Sequence, residues 1–224
     1  VAQANSVATA TTGTVQFSGG ITDSTTNLMN GDSSAISTGL STAKTDDSDV
    51  VITANTAVTV AQFNLLDAAT SSAIVLSGGI SDTAANLAPS GTASSGLTNS
   101  TTQDGDVAIT ITGTPPTVDE LNKVASLTTG AVTASISGNK TTLASLNTAS
   151  GDAITATVTD AVTVAEFNTL DGKTSVAVIL SGGVSDAAAA YASTTGTATA
   201  GRTAIAAQDG DAALTVTDAA TVAQ

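Results

Sequence analysis

One stretch of this chain, Val164–Asp186, recurs along the sequence and constrains the fold more than any other feature. It reads VAEFNTLDGKTSVAVILSGGVSD, and Val60–Asp82 reads VAQFNLLDAATSSAIVLSGGISD. A diverged copy occupies Val1–Asp23, a more distant one occupies Val118–Gly138, and Thr221–Gln224 begins another. Such regular self-similarity is typical of repeat architectures, in which each unit buries its apolar face against its neighbours.

The first residues of these copies set the repeat boundaries. The copies begin at Val1, Val60, Val118, Val164 and Val222, at intervals of 59, 58, 46 and 58 residues. The chain is therefore divided into repeat 1 (1–59), repeat 2 (60–117), a shortened repeat 3 (118–163), repeat 4 (164–221) and the beginning of a further repeat (222–224).

Each repeat contains two runs in which β-branched residues alternate with polar ones, a pattern that predicts strands. Between these runs, Val60, Phe63 and Leu66 recur every three residues and predict a short helix with one inward face. Because the linkers are too long for hairpins, the strands are expected to be parallel. The sequence therefore predicts an α/β solenoid of parallel strands alternating with short helices, with two rungs per repeat of about 58 residues. In the alternative, an all-β solenoid, the segment 60–66 would form another strand.

The connections between the predicted strands are of two kinds. The Ser-Gly-Gly segments that end at Asp23, Asp82 and Asp186 predict a structural turn followed by a helix N-cap. The longer connections 89–103 and 193–208 are rich in Ser, Thr and Gly, and we expect surface insertions there.

Alternation along the predicted strands assigns one apolar face and one mixed face. The apolar face, which includes Ile52, Ile109 and Leu214, is the expected core. The other face combines Thr with aliphatic residues, so it is neither a typical solvated surface nor a typical core, and it is suited to holding another chain. This predicted assembly face comprises Val75, Thr110, Thr112, Thr155, Thr157, Ile179, Thr215 and Thr217.

The sequence begins and ends at the same position within the repeat, because it starts with VAQ and finishes with TVAQ. A free-standing solenoid needs terminal units with a polar outer face, and neither end carries one. We therefore expect the strands to continue on both sides, either within a longer chain or by head-to-tail stacking of successive chains. A head-to-tail contact that does not close produces a filament.

Composition excludes several classes of function. The net charge is −14, with four Lys and one Arg, so nucleic acid is not an expected partner, because nucleic-acid binding needs a basic surface. The chain has no Cys and no His, which excludes disulfides, thiol nucleophiles and Ser-His-Asp chemistry. Aromatic residues make up 2%, too few for the platforms of a sugar-processing site, and we expect no enzyme activity. No apolar run is long enough for membrane insertion.

Acidic turns before the second strand of each repeat supply the candidate metal ligands. Ca²⁺ is bound by several oxygen ligands at once, and carboxylates are among the groups that bind it. Asp and Gly also favour turns, so a purely structural role is the competing interpretation, and no other cofactor is expected. The candidate Ca²⁺ ligands are Asp47, Asp49, Asp104, Asp106, Asp209 and Asp211.

The phrases VTVAEFNTLDGKTS (162–175), SGGVSD (181–186) and SDTAANLA (81–88) resemble the repeats of giant low-complexity cell-surface proteins of bacteria, particularly those of marine cyanobacteria. The resemblance covers nearly the whole chain and is one of repeat style, so it transfers no functional residues. It implies export, a location at the cell surface or in the extracellular matrix, and a structural, adhesive or motility-related role.

Together these features predict an extracellular structural protein that forms a filament, sheath or long surface fibre, with copies of itself as head-to-tail and lateral partners. Two alternatives remain open. The first is an adhesin stalk or binding module that recognises a glycan or a surface through the long connections. The second is an ice-binding solenoid, because Thr-x-Thr rows such as Thr110 and Thr112 resemble the flat Thr grids of that class, although aliphatic and Ser positions interrupt the rows here.

Overall fold

The computed structural model describes residues 1–222 and shows an α/β fold of parallel strands and short helices. The chain divides into two compact units, and each is described by itself. Unit 1 comprises 1–114 together with 126–131, and unit 2 comprises 115–125 together with the residues from Val132 onward.

Unit 1 combines helices with strands of two to four residues. β1 pairs in parallel with β2 and β2 with β3, with Ile21 opposite Ile52 and Ile52 opposite Ile74. β4 pairs in parallel with β5, with Ile80 opposite Ile109. The helices are α1 (Ala2–Thr9), α2 (Thr25–Leu28), α3 (Thr38–Asp46), α4 (Val60–Asp67), α5 (Ala84–Leu87) and α6 (Ser95–Gln103), with a 3₁₀ turn at Pro89–Gly91. The strands are β1 (Ile21–Asp23), β2 (Ile52–Ala54), β3 (Ile74–Val75), β4 (Ile80–Thr83) and β5 (Ile109–Thr112).

Unit 2 also combines short helices with parallel strands. β6 pairs in parallel with β7, with Ala134 opposite Ile154, and β8 pairs in parallel with β9, with Val184 opposite Leu214. The helices are α7 (Val118–Ala125), α8 (Lys140–Leu143), α9 (Val164–Asp171), α10 (Ala188–Tyr191) and α11 (Ala200–Gln208). The strands are β6 (Val132–Gly138), β7 (Ala153–Val158), β8 (Val184–Asp186) and β9 (Leu214–Val216).

The predicted α/β architecture with parallel strands is confirmed, and the helices that open the repeats form because their sequences cap and bury them well. In α9, the Thr163 side chain accepts a hydrogen bond from Glu166 N at 3.2 Å, and the Glu166 carboxylate accepts one from Thr163 N at 2.7 Å. This capping box satisfies donors that a helix N-terminus otherwise leaves free. Val164, Phe167 and Leu170 form the buried face. Because α4 and α7 are helices as well, the all-β alternative is wrong at these segments.

Two helices, α6 and α11, occupy the connections that the sequence predicts as surface insertions, and α3 is their counterpart in repeat 1. Ser, Thr and Gly are weak helix formers, so tertiary packing decides the outcome. Gly96 of α6 lies so close to Val60 of α4 that a Cβ would clash with its side chain, and Gly201 of α11 lies equally close to Val164 of α9. In the described part of the chain, repeat 3 passes from α8 to β7 without such a helix, which accounts for its shorter interval.

Each Ser-Gly-Gly segment forms a turn that leads directly into a strand. Gly79 has φ +77°, and a Cβ there would lie 2.6 Å from the carbonyl oxygen of Ala108. Gly183 has φ +74°, with Ala213 O at the same distance from a Cβ. Only glycine combines this backbone conformation with so close an approach to the next strand. The turn therefore sets the start of β4 and β8. The sequence predicts a turn and a helix N-cap at these positions, and the structure has a strand there instead.

The aspartates after these turns lie in strands and do not serve as helix N-caps. Asp82 is the last residue but one of β4, and the N-cap of α5 is the next residue, Thr83. The Asp82 Oδ1 accepts hydrogen bonds from Thr83 N and Asn86 Nδ2, and its Oδ2 accepts one from Val60 N at the start of α4. Asp186 makes the equivalent bond to the start of α9. A carboxylate has two oxygens, so one side chain serves two helices at once.

The core consists of the apolar strand face and the inward faces of the helices. Ile52 and Ile109 are fully buried, as the alternation predicts, and Phe167 is fully buried on the inward face of α9. The inward residues of the first and last segments differ, because Phe17 is only half-buried and Leu214 is exposed. None of the described helices has the length and apolarity that a membrane-spanning helix requires.

Candidate assembly interface

Several aspartate side chains accept a hydrogen bond from the backbone of the extended segment that precedes theirs in the stack. We call each such extended segment a strand segment, whether or not it forms one of the strands β1–β9. The Asp104 carboxylate accepts a hydrogen bond from Leu76 N at 2.7 Å, and Asp47 accepts one from Phe17 N at 2.6 Å. We call this arrangement an aspartate link. In residues 1–222 the aspartate links are Asp47 to Phe17, Asp104 to Leu76, Asp152 to Val132 and Asp209 to Leu180.

The Asp104 link has an unusual electrostatic environment. Burial disfavours the charged form of the Asp104 carboxyl and raises its pKa, and the adjacent Asp106 raises the pKa further by hydrogen bonding and like charge. The hydrogen bond from Leu76 N acts in the opposite direction, because it favours the carboxylate. The Asp104 carboxyl therefore holds a proton more tightly than an isolated aspartate would.

The predicted Ca²⁺ ligands divide into two kinds. Asp47, Asp104 and Asp209 make aspartate links, so one oxygen of each already accepts from a backbone N–H. The other candidate in each turn lies two residues further along the chain and is exposed. Within the described residues, no three acidic side chains come together in a cluster that could hold a metal ion. Ca²⁺ binding at these turns stays a prediction.

A threonine followed by Ser or Thr makes a second kind of connection to the preceding strand segment. Thr70 Oγ1 donates to Val50 O at 2.7 Å, and Ser71 N donates to Ser48 O at 3.0 Å. We call this pair of bonds a threonine link. The other threonine links join Thr128 to Val107 and Thr129 to Gly105, and Thr174 to Ile154 and Ser175 to Asp152.

In the threonine link of Thr174, the side-chain hydroxyl makes as many hydrogen bonds as it can. Its Oγ1 donates to Ile154 O at 2.8 Å and accepts from Ile154 N at 3.0 Å and from Val176 N at 3.2 Å. A hydroxyl has one donor and two acceptor lone pairs, so all of its capacity is filled. The side chain is 8% exposed, and its hydrogen bonds are therefore shielded from water.

Aspartate and threonine links alternate along each unit. Unit 1 has, in chain order, links at Asp47, Thr70, Asp104 and Thr128. Unit 2 has an aspartate link at Asp152, a threonine link at Thr174 and an aspartate link at Asp209. After the last aspartate link, the alternation predicts a threonine link to the final strand segment.

The pair Thr11–Thr12, at the corresponding position of repeat 1, has the local geometry of a threonine link without its partners. Gly13 N donates to Thr11 Oγ1 at 3.0 Å, as Ser72 N donates to Thr70 Oγ1 at 3.1 Å. In the described part of the chain, the Thr11 hydroxyl and the Thr12 N–H meet no carbonyl oxygen of another strand segment. Thr11 and Thr12 therefore share the local turn of a threonine link.

β9 is the last strand of the described residues, and its inward side is exposed. β9 pairs with β8 along one edge, and its residues Leu214 and Val216 are 38% and 47% exposed. The corresponding inward residues of β2 are fully buried, because a following strand segment covers them. Gly210 O and Ala212 O stand where Ser48 O and Val50 O accept the bonds of the Thr70 link.

The predicted assembly face points outward from the strands. Its aliphatic members Val75 and Ile179 are each 41% exposed. Its threonines are exposed, at Thr110, Thr112, Thr215 and Thr217, or half-buried, at Thr155 and Thr157. The positions agree with the predicted alternation, and the role of this face in lateral assembly stays a prediction.

Sequence reasoning did not identify the threonine links, although a signal was present. A Thr followed by Ser or Thr stands at the same point of all four repeats, at 11–12, 70–71, 128–129 and 174–175. Comparison of this chain with protein-family models, with curated proteins and with solved structures finds no match.

Proposed function

We propose that this chain is an extracellular structural repeat protein, an α/β solenoid whose rungs stack into a filament, sheath or long surface fibre. In such a solenoid, each strand segment with its helices forms one rung, and two rungs form one repeat. The observation that carries the proposal is the repeated stacking of parallel segments, joined within each unit by alternating aspartate and threonine links. On the inward side of β9, the last strand of the described residues, Leu214 and Val216 are exposed.

Two properties of the β9 edge favour stacking: unpaired backbone groups and exposed aliphatic side chains. A strand edge with unpaired N–H and C=O groups is a template for another strand, and covering exposed aliphatic side chains removes apolar surface from water. A contact between two different surfaces is head-to-tail, and the proposal is that its rotation does not close into a ring. Repetition of such a contact produces a fibre.

Charge makes this association dependent on ionic strength. With a net charge of −14, copies repel one another at low salt. At an ionic strength of 0.1 M the Debye length is about 10 Å, which confines the repulsion to near neighbours. Assembly is therefore expected to strengthen with salt. The extracellular location is proposed because the repeats resemble those of bacterial cell-surface proteins, and the mechanical role requires no catalytic group.

Electron microscopy and sedimentation of the purified chain at physiological salt test the proposal. The wild-type chain should form filaments or long oligomers. The variant Val216→Glu places a charge on the open side of β9 and should remain monomeric with an unchanged circular dichroism spectrum. The matched control, Ala206→Glu, adds the same charge at an exposed position of α11 and should assemble like the wild type.

Three results would contradict this reasoning. A wild-type chain that stays monomeric at high concentration and at all salt concentrations would refute the structural role. Equal assembly of Val216→Glu and Ala206→Glu would show that β9 is not the contact surface. Separate particles that bind a glycan saturably would instead support the adhesin interpretation.

A further inference from the structure

A groove between α8 and α9 in unit 2 lies where the shortened repeat 3 departs from the other repeats. In repeats 1, 2 and 4 a short helix is followed by a longer one, whereas α8 is followed by the segment 144–148. The side chain of Asn122 holds this segment to α7, since it donates to Ser145 O at 2.8 Å and accepts from Asn147 N at 2.7 Å. The groove beside α9 has a volume of about 410 Å³. It is lined by Lys140, Thr141, Ala144, Glu166, Thr169 and Leu170.

The groove combines an apolar floor with a pair of opposite charges. Glu166, Thr169 and Leu170 share one face of α9, because they lie three and four residues apart. Leu170 is buried and forms the apolar floor together with Ala144. Lys140 Nζ lies 3.2 Å from Glu166 Oε2, and the two side chains are 35% and 42% exposed. The charged pair is therefore accessible to a molecule that enters the groove.

This charged pair has hydrogen-bonding capacity that the protein does not use. Among the described residues, the Glu166 carboxylate accepts only through Oε2, from Thr163 N, Thr163 Oγ1 and Lys140 Nζ, so Oε1 remains an acceptor. Lys140 Nζ makes one of the three hydrogen bonds that an ammonium can donate. The bond from Thr163 N and the Lys140 ammonium lower the pKa of Glu166 against the effect of burial, so the carboxylate is ionised at neutral pH. The groove thus offers a donor and an acceptor side by side.

We infer that this groove binds a neutral saccharide, a role beyond the proposed structural one. A hydroxyl group both donates and accepts, so one sugar hydroxyl donates to Glu166 Oε1 while its neighbour accepts from Lys140 Nζ. A C–H face of the sugar ring packs on Leu170. The volume lies within the range of about 300–1,000 Å³ that is usual for small-molecule sites, which combine apolar walls with a few polar groups.

Charge selects a neutral ligand. The Lys140–Glu166 pair has no net charge, and the net charge of −14 on the chain repels anions. A zwitterion such as a free amino acid would lose water from two full charges, whereas a diol brings none. The lining residues include no aromatic side chain, so the apolar contact is small and we expect weak binding, with a Kd of about 1–10 mM. A fibre that repeats the groove would bind a saccharide surface more tightly through multivalency.

Saturation-transfer difference NMR tests the inference, because it observes the sugar and works whether the full-length chain is monomeric or assembled. The probes are the methyl glycosides of glucose, galactose and mannose. At least one of them should give a saturable signal with a Kd of about 1–10 mM.

Glu166→Gln removes the charged acceptor and keeps the capping box, as Gln62 does in α4. It should weaken binding by at least about tenfold. The matched control is Glu120→Gln, because Glu120 accepts from Thr117 N at the start of α7 in the same way and does not line the groove. The control should bind the sugar like the wild type.

Ala144→Leu provides a second measurement, which does not depend on charge. The larger side chain fills the groove, and since Ala144 is exposed the circular dichroism spectrum should not change. Sugar binding should be lost. Ala149→Leu adds the same side chain at an exposed position outside the groove and should leave binding unchanged.

Three results would overturn the inference. The first is absence of saturable binding with all three glycosides. The second is equal binding by Ala144→Leu and Ala149→Leu, or by Glu166→Gln and Glu120→Gln, which would place the sugar elsewhere. The third is saturable binding of leucine or glycine betaine without sugar binding, which would assign the groove to zwitterions. Electron microscopy reports filament formation separately, so each of these failures is distinguishable from a failure of the proposed function.

Discussion

Replacing Thr174 by Val removes one hydroxyl from an interior threonine link and leaves the shape of the side chain nearly unchanged. The hydroxyl donates to Ile154 O and accepts from Ile154 N and Val176 N. Valine fills the same volume but offers no hydrogen-bonding group, so these backbone atoms lose their partner in a site that excludes water. The substitution therefore isolates the polar contribution of the link.

The expected loss follows from the number of backbone groups left without a partner. A buried donor or acceptor that loses its hydrogen bond costs about 1–3 kcal/mol. Ile154 is buried, so its two groups bear the full cost, whereas Val176 is half-buried and can regain a bond to water. Partial relaxation of the strand segment lowers the sum. We expect Thr174→Val to reduce the free energy of unfolding by about 2–4 kcal/mol.

Urea unfolding measured by tyrosine fluorescence is the assay. Tyr191 is the only Tyr, and the chain has no Trp, so the emission reports on unit 2, which contains Thr174. Tyr191 is buried, and its hydroxyl lies 3.0 Å from the carbonyl oxygens of Val184 and Thr215. Its environment therefore changes when the unit unfolds.

Thr169→Val is the matched control, because Thr169 is an exposed residue of α9 in the same unit. Its hydroxyl bonds only to Ala165 O of the same helix, so the change should stay within about 0.5 kcal/mol. A loss for Thr174→Val below about 1 kcal/mol, or no larger than that of Thr169→Val, would refute the reasoning that buried hydroxyls hold adjacent strand segments together.

Three further predictions address the turn, the cap and the acidic pair. Gly183→Ala should destabilise unit 2 by about 2 kcal/mol or more in urea unfolding, because a Cβ would meet Ala213 O in a left-handed backbone conformation. Thr163→Ala should cost about 1 kcal/mol in the same assay through loss of the N-cap bond. Asp106→Asn should lower the pKa of Asp104 in a carboxyl NMR titration, because it removes the adjacent like charge. Since that pKa is raised in the folded state, stability falls as pH rises through it, and the variant should reduce this fall.

Each of these predictions has a control within the chain. Gly172→Ala adds a Cβ that makes only ordinary contacts, so a loss as large as that of Gly183→Ala would contradict the turn argument. Glu166→Gln should keep the capping box, because Gln62 fills that position in α4, and a large loss would mean that charge rather than capping stabilises the helix. Asp211→Asn should leave the Asp104 titration unchanged.

The elements that the sequence predicts well are those governed by short-range periodicity. The alternation of Ile109 and Ile111 with Thr110 and Thr112 places the aliphatic pair inward and the threonines outward, and the structure agrees. Spacing of Val60, Phe63 and Leu66 by three residues likewise predicts the buried face of α4. Both patterns follow from the geometry of a single strand or helix, so they do not require knowledge of the neighbours.

The elements that the sequence missed depend on packing between distant segments. α6 contains Ser, Thr and Gly and has little intrinsic tendency to be helical, but Leu97 is buried and Gly96 permits close approach to Val60. The strand after Gly79 forms because that glycine approaches Ala108 O in the next segment, which local sequence cannot indicate.

The sequence by itself determined the opening helices and the inward and outward faces, because each is encoded in a period read over a few residues. It also determined the repeat, through self-similarity, and the parallel strands, through linkers too long for hairpins. Only the tertiary structure decided what the polar residues do. Asp47 and Asp104, candidates for metal ligands from their spacing, bind Phe17 N and Leu76 N, which lie 30 and 28 residues away. Thr174, part of an ordinary polar stretch in the sequence, holds Ile154 from 20 residues away. The partner of a hydroxyl or carboxylate is set by the strand that packs beside it, and that strand is chosen by the fold as a whole.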